Sequence, residues 1–165
     1  MSRMTLLVVT LVLLAVAGTA HCDGFRLYGG WTDAGDGDSA FGLGIGFLRD
    51  TLMADLNFFD TDFPKQGAQG SFASLVTDLS VSYLWRPAIY PQAYYGGGVD
   101  YLQADDLGAF GYADDSSLGF HIVAGTRLPG GSRWGALFAE ARYLFATDLE
   151  GKDLDGLQLK LGVEF

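Results

Sequence analysis

The amino-acid sequence predicts an all-β protein, an eight-stranded antiparallel up-and-down transmembrane β-barrel that follows a cleaved signal peptide. Three observations support this prediction. Apolar and polar residues alternate in eight separate segments, the connections between those segments alternate between long and short, and a short apolar segment stands at the start of the chain. With 165 residues, the chain has the length of one domain.

The alternation is clearest in the last segment, LQLKLGVEF, where Leu157, Leu159 and Leu161 share one face and Gln158 and Lys160 share the other. A period of two is typical of a β-strand with one apolar and one polar face. Several segments reach the length of about 9–11 residues that a tilted strand needs to cross a bilayer. The predicted strands are 25–31, 40–48, 51–59, 74–86, 92–102, 117–128, 135–146 and 156–165.

The connections between the predicted strands alternate in length without exception. The polar segments TDAGDGDS and DTDFPKQGAQGSFA follow the first and third strands, whereas only Arg49 and Asp50 separate the second strand from the third. Pro87 and Pro91 interrupt the chain after the fourth strand. Bacterial outer-membrane barrels have an even number of strands, short periplasmic turns and longer outside loops. The sequence therefore predicts an outer-membrane location.

The N-terminal segment has the features of a secretory signal peptide. Arg3 precedes an apolar run from Thr5 to Val16, and Gly18-Thr19-Ala20 fits a cleavage site with small residues. The run is too short to span a bilayer comfortably. We therefore expect cleavage after Ala20, so that residues 1–20 are the signal peptide and residues 21–165 the barrel domain. An uncleaved membrane anchor is the alternative.

Composition favours a membrane and argues against nucleic acid as a partner. Charged residues make up 18% of the chain, against about 25% in typical soluble domains. The net charge is −10 and the sequence has no basic cluster, whereas nucleic-acid binding needs clustered Lys and Arg. We predict no cofactor. Cys22 is the only cysteine, and His21 before it argues against lipidation, so a free thiol is expected.

The large apolar residues are expected on the outside of the barrel. Eight strands enclose an interior just wide enough for side chains to fill, and several large residues from each strand would overfill it. A soluble lipocalin-like barrel, with its apolar face turned inward around a ligand, is the alternative. Aromatic residues near the strand ends are predicted to lie at the membrane interfaces. They are Trp31, Tyr83, Trp85, Tyr101, Trp134, Tyr143 and Phe165.

The opposite face carries charges of both signs, which are predicted to lie in the lumen. An unpaired charge inside a narrow barrel is costly, so we expect these groups to pair and to plug the lumen. A narrow path for ions or small solutes is the alternative, although real pores use about 16 or more strands. The predicted network is Arg26, Asp55, Asp78, Arg86, Asp100, His121, Arg127, Glu140, Arg142, Lys160 and Glu164.

His121 raises the question of catalysis. Outer-membrane lipid A deacylases are barrels of this size with a Ser-His-Glu site, in which the serine follows the histidine by two residues. Val123 occupies that position here, and a triad needs its three groups in contact. We therefore predict no catalytic residue and no enzyme activity, and we expect His121 to form a hydrogen bond with Glu140.

The long connections are rich in acidic residues, which makes one end of the predicted barrel strongly anionic. Hard divalent cations bind carboxylate oxygens, so Asp33, Asp36 and Asp38 are candidate ligands for a weakly bound divalent cation. Their spacing lacks the EF-hand pattern and its terminal Glu. Solvated, mutually repelling loops are the simpler interpretation.

The chain from residue 21 onward resembles the small eight-stranded outer-membrane barrels of the OmpA-like and OmpX-like group, and within it the YfaZ family. The matching segments are DGDSAFGLGIGFL, TLMADL and LEGKDLDGLQLKLGVEF. The resemblance implies a monomer among outer-membrane lipid and lipopolysaccharide, with a structural or surface-interaction role and no catalytic residue. It also implies that the barrel assembly machinery reads the C-terminal aromatic residue, here Phe165.

Overall fold

In a computed structural model, eight antiparallel strands form one closed barrel. The structure describes residues 24–34, 39–64, 71–106, 115–128, 135–146 and 154–165. The predicted signal peptide, Cys22, Asp36, Asp38 and Trp134 lie outside these residues. In the described ranges, we find no helix with the length and apolar character to cross a membrane. The strands are β1 (Gly24–Ala34), β2 (Ser39–Arg49), β3 (Leu52–Pro64), β4 (Ser71–Trp85), β5 (Ala93–Asp106), β6 (Asp115–Arg127), β7 (Ala136–Ala146) and β8 (Gly156–Glu164).

Each strand pairs with the next along the chain, and β8 closes the barrel by pairing antiparallel with β1. This order confirms the predicted eight-stranded up-and-down barrel. The strands around the second and third long connections extend beyond their predicted ends. The ladder between β3 and β4 runs to Pro64 opposite Ser71, because backbone pairing continues after the alternation of side chains has faded. At the other end, β4 stops at Trp85, before Pro87, which has no backbone N–H to donate.

The apolar face of each strand is on the outside. In β8, Leu157, Leu159 and Leu161 are exposed while Gln158 and Lys160 are buried. The same arrangement recurs around the barrel and produces a continuous exposed apolar belt. An exposed belt of this kind indicates a surface that contacts lipid or another protein, since soluble monomers rarely expose apolar patches of this extent. The interior therefore holds the polar face, the opposite of a lipocalin-like arrangement. Other exposed belt residues are Phe41, Leu43, Val81, Val99, Leu118, Phe120, Ile122 and Leu137.

The interior has three layers along the barrel axis. One apolar cluster lies near the end with the long connections, and a second lies near the end with the short turns. Charged and hydrogen-bonding side chains occupy the space between the two clusters, and the pair Arg127–Glu164 extends them to the mouth at the short turns. The first cluster is Phe59, Val76, Leu102, Ala104, Leu144 and Leu154. The second is Leu48, Met53, Leu84, Tyr94 and Val123.

The interior holds larger side chains than the sequence analysis expected. Tyr28, Tyr94 and Phe138 are all buried in it. They fit because glycines on facing strands leave room: a Cβ atom at Gly44 would overlap the ring of Tyr28, and one at Gly125 would overlap the ring of Tyr94. The interior volume is therefore filled by large side chains on one strand that lie beside glycines on the neighbouring strand.

Candidate functional site: the charge network in the lumen

Arg26 lies at the centre of one half of the network. Its guanidinium donates to Glu164 at 2.9 Å and to Glu140 Oε2 at 3.2 Å. Tyr94 also donates its hydroxyl to Glu140 Oε2, at 2.6 Å. The guanidinium stacks over the rings of Tyr94 and Phe138, with its Cζ 5.0 Å and 4.4 Å from the ring centroids. Strands β1, β5, β7 and β8 are therefore joined through a single arginine.

Lys160 bridges two carboxylates on opposite sides of the lumen. Its Nζ lies 3.3 Å from Asp55 Oδ2 and 3.3 Å from Glu140 Oε1. The ammonium also lies 4.9 Å from the centroid of the Tyr28 ring, an arrangement that is attractive because the ring face is negative. The Tyr28 hydroxyl donates to Asn57 at 2.6 Å. A lysine on β8 is thereby connected to β1, β3 and β7.

Arg142 is the cation of the other half of the network. Its side chain is fully buried and forms ion pairs with Asp78, at 3.3 Å, and with Asp100. It also donates to Ser80 Oγ at 3.0 Å. Asn57 donates to Asp78 Oδ2 at 2.9 Å, which joins this half to the Tyr28 hydroxyl. Buried ions are tolerated only when they are paired and hydrogen-bonded, and both carboxylates here have such partners.

His121 lies between an acid and a hydroxyl. Its Nδ1 is 2.7 Å from Asp100 Oδ2, and its Nε2 is 2.8 Å from Ser82 Oγ. The order acid, imidazole and serine hydroxyl is that of a hydrolase triad. All three residues are at most 2% exposed. Hydrolysis at Ser82 would require a substrate to pass the apolar cluster of the short-turn end, which contains Leu84 on the same strand.

The expected hydrogen bond between His121 and Glu140 is wrong. His121 lies opposite Leu144 of β7, whereas Glu140 lies opposite Gly125, four residues further along β6. Glu140 therefore contacts Arg26 and Lys160 instead. Spacing along the sequence points only to a serine on the strand of the histidine, whereas Ser82 lies two strands away. Ser82, Gly98 and His121 share one row across β4, β5 and β6, and only the register reveals this.

Ten of the eleven residues proposed for the network face the lumen or its mouth, and Arg86 does not. Arg86 is exposed in the connection between β4 and β5, because β4 ends one residue earlier than predicted. Arg127 lies at the mouth, with its side chain 36% exposed, and pairs with Glu164. Tyr28 and Tyr94 were missed as members. Tyr28 lies two residues from Arg26, and Tyr94 lies two residues from Gly96. Because residues two apart on a strand share a face, this spacing could have identified both tyrosines as lumen residues.

The paired charges nearly balance. Among the described residues, each buried carboxylate of the network lies within ion-pair distance of a basic side chain. The pairs join residues far apart in sequence, so the network connects strands across the barrel as well as filling it. The carboxylates are Asp55, Asp78, Asp100, Glu140 and Glu164, and the basic side chains are Arg26, Arg127, Arg142 and Lys160.

Aromatic residues occupy the outer surface near the strand ends. Tyr83, Trp85, Tyr143 and Phe165 are exposed, and Trp31 and Tyr101 are partly exposed. Phe165 extends the pairing of β8 with β1, because its backbone N–H and C=O bond to Phe25 at 2.8 Å and 3.2 Å.

The predicted cation site falls mostly outside the described residues. Asp33 is exposed in β1, while Asp36 and Asp38 lie outside the described residues. Within the described ranges, no group of three or more His, Cys, Asp or Glu side chains could hold a metal ion.

No family model and no curated protein matches the chain. It is similar to the crystal structure of Neisserial surface protein A, with 16% identity, coverage of 86% of this chain and 93% of that chain, and a TM-score of 0.55. It is also similar to the N-terminal β-barrel domain of Pseudomonas aeruginosa OprF, with 14% identity, 86% and 96% coverage and a TM-score of 0.48. The resemblance to the YfaZ family is not confirmed. The first of these structures shows the fold, which is that of a small, closed eight-stranded β-barrel.

Proposed function

We propose that this chain is an integral outer-membrane barrel with a closed lumen and a structural or surface-interaction role. The observation that carries the proposal is the filled interior, in which two apolar clusters flank a paired charge network. An ion entering the lumen would have to displace buried side chains such as Leu84 and Leu102, and then separate pairs such as Arg26–Glu164. Each of these steps is costly.

The charge distribution of the barrel ends supports a surface role. The predicted long connections are acidic, and Asp33 near the end of β1 and Asp60 in the last third of β3 are exposed. The opposite end carries Arg49, Arg86 and Arg127. Divalent cations would bridge the acidic end to the anionic head groups of lipopolysaccharide, since hard cations take oxygen ligands from both. The expected partners are therefore outer-membrane lipid and lipopolysaccharide, with the chain as a monomer.

Two measurements test membrane insertion and closure of the lumen. Outer-membrane fractions are run on SDS gels with and without boiling, and we expect a boiling-dependent shift of the band. The purified barrel is then placed in planar bilayers, where we expect no steady conductance. A water-soluble protein without a shift would contradict membrane insertion. A stable conductance would favour the alternative, a narrow channel for ions or small solutes.

The structural role is tested by deleting the gene. We expect increased sensitivity to SDS combined with a chelator of divalent cations, restored by the wild-type chain. A deletion strain with unchanged sensitivity and unchanged release of lipopolysaccharide would contradict a role in the envelope. Overexpression that altered the mass of lipid A would instead indicate a lipid-modifying enzyme.

A further inference from the structure

The connection between β4 and β5 is a rigid apolar projection. The backbone N–H of Tyr90 bonds to the carbonyl of Pro87 at 3.1 Å, and that of Ala93 bonds to Tyr90 at 3.0 Å. These bonds form two consecutive turns, and proline at 87 and 91 further restricts the backbone. Ile89 and Tyr90 are nevertheless 83% and 68% exposed. An ordered turn that exposes two large residues has a surface suited to a partner.

The turn continues a patch of aromatic side chains on the outer face of the barrel. Trp85 stacks on Tyr95 with ring centroids 6.1 Å apart and planes inclined by 21°. Tyr83 meets Trp85 edge-on at 4.8 Å. All three rings are exposed and adjoin the apolar belt. Rings with an apolar body and a polar edge are favoured at the level of lipid head groups.

Arg86 places a positive charge beside these rings. It follows Trp85 directly, is exposed, and forms no ion pair or hydrogen bond with any residue in the described ranges. The basic residues of the lumen, in contrast, all pair with carboxylates. A guanidinium presents a planar set of donors that matches the oxygens of a phosphate. An unpaired arginine at the level of the head groups therefore suits an anionic lipid.

We propose that Trp85, Arg86, Tyr95 and the turn at Ile89–Tyr90 bind one phospholipid in the leaflet that surrounds the short turns. The head-group phosphate contacts Arg86, and the glycerol and upper acyl chains contact the stacked rings. This inference rests on the proposed insertion in the outer membrane. Two observations favour a lipid over a soluble protein: the site is continuous with the lipid-facing belt, and its charge is opposite to that of a phosphate.

Native mass spectrometry of the detergent-solubilised barrel tests the site. The probes are dimyristoyl phosphatidylglycerol, which is anionic, and dimyristoyl phosphatidylcholine, which is zwitterionic. We expect the wild-type chain to retain phosphatidylglycerol preferentially and Arg86→Gln to lose roughly fivefold in affinity for it, the effect of one basic residue near a lipid surface. Trp85→Leu, which keeps an apolar surface but removes the stacked pair, should weaken retention of both lipids.

Arg49→Gln is the matched control, because Arg49 is also exposed at the short-turn end of the barrel, as the last residue of β2. We expect it to retain phosphatidylglycerol like the wild type. Equal losses for Arg49→Gln and Arg86→Gln would overturn the site and indicate a general effect of net charge. Unchanged retention by Arg86→Gln would also overturn it, and would favour a soluble partner for Ile89 and Tyr90.

Heat modifiability and membrane fractionation of the same variants separate the two proposals. A variant that shifts on boiling and remains in the outer membrane, yet shows no lipid preference, contradicts only the phospholipid site. A wild-type chain that fails to insert contradicts the proposed function, and the phospholipid site with it.

Discussion

Nδ1 of His121 lies 2.7 Å from Oδ2 of Asp100 inside the barrel, and the other nitrogen of the same ring faces Ser82 Oγ at 2.8 Å. In a hydrolase, this geometry activates the serine. Here the three side chains are enclosed by the network on one side and by an apolar cluster on the other. The same arrangement therefore acts as a cross-strand link between β4, β5 and β6.

The first prediction concerns reactivity at this site. A fluorophosphonate probe should not label the folded barrel, because Ser82 is only 1% exposed and the probe cannot reach its Oγ. The measurement is mass spectrometry of the protein after incubation in detergent. Labelling of the wild-type chain that disappeared in Ser82→Ala would contradict a purely structural role, and hydrolysis of an ester substrate would then have to be measured.

Gly98 is predicted to be required by the close approach of β4 and of the His121 ring. A Cβ atom at residue 98 would overlap the carbonyl oxygen of Val81 on β4 and would come within 2.7 Å of His121 Cε1. Gly98→Ala should lower the free energy of unfolding by about 1–3 kcal/mol, the usual cost of overpacking. The measurement is urea-induced unfolding of the barrel in lipid vesicles.

Gly97→Ala is the control for that substitution. Gly97 belongs to the outward-facing set of β5, between exposed Tyr95 and Val99, and a Cβ there would meet only a backbone oxygen of His121, at 3.0 Å. We expect a change within about 1 kcal/mol of zero. Equal losses for the two variants would show that the close contacts at residue 98 are not the reason for glycine there.

Arg142 is predicted to be the most sensitive cation of the lumen. Arg142→Met would leave Asp78 and Asp100 without their shared cation, and removing one partner of a buried pair costs about 3–5 kcal/mol. Arg86→Met should change the free energy of unfolding by less than about 0.5 kcal/mol, because Arg86 is exposed and outside the network. Both values come from the same urea titration.

A compensating variant tests the reason for that loss. Adding Asp78→Asn and Asp100→Asn to Arg142→Met removes the unpaired buried charges and should recover part of the lost stability. A triple variant no more stable than Arg142→Met would show that lost packing, and not uncompensated charge, causes the destabilisation.

Phe165 is predicted to matter more for assembly in the cell than for stability. Its backbone bonds to Phe25, and its ring lies 6.2 Å from that of Phe25 on the outer face. Phe165→Ala keeps the backbone bonds and should cost about 1 kcal/mol in vesicles. In cells it should sharply reduce the folded, heat-modifiable form, whereas Phe165→Tyr should not. Equal folded amounts for all three chains would contradict recognition of Phe165 by the assembly machinery.

The sequence by itself determined the strands, their order and their faces. A period of two places Leu157, Leu159 and Leu161 on one face of β8 whatever the partners of that strand are, and short connections favour pairing between neighbouring strands. The same alternation along each strand predicts which charged residues lie in the lumen. Arg86 was assigned wrongly because the alternation of faces applies only within a strand. The predicted end of the fourth strand was residue 86, one residue beyond its actual end at Trp85.

Only the tertiary structure decided which groups meet across the lumen. The stagger between strands that closes β8 on β1 sets the height of every residue, and no local pattern encodes it. This stagger brings His121 to Ser82 and Asp100, and places Glu140 beside Arg26 and Lys160. It also sets glycines opposite Tyr28 and Tyr94, which allows large rings into a narrow barrel. The alternation of side chains along each strand determines which of them enter the lumen, whereas the stagger between strands determines their partners.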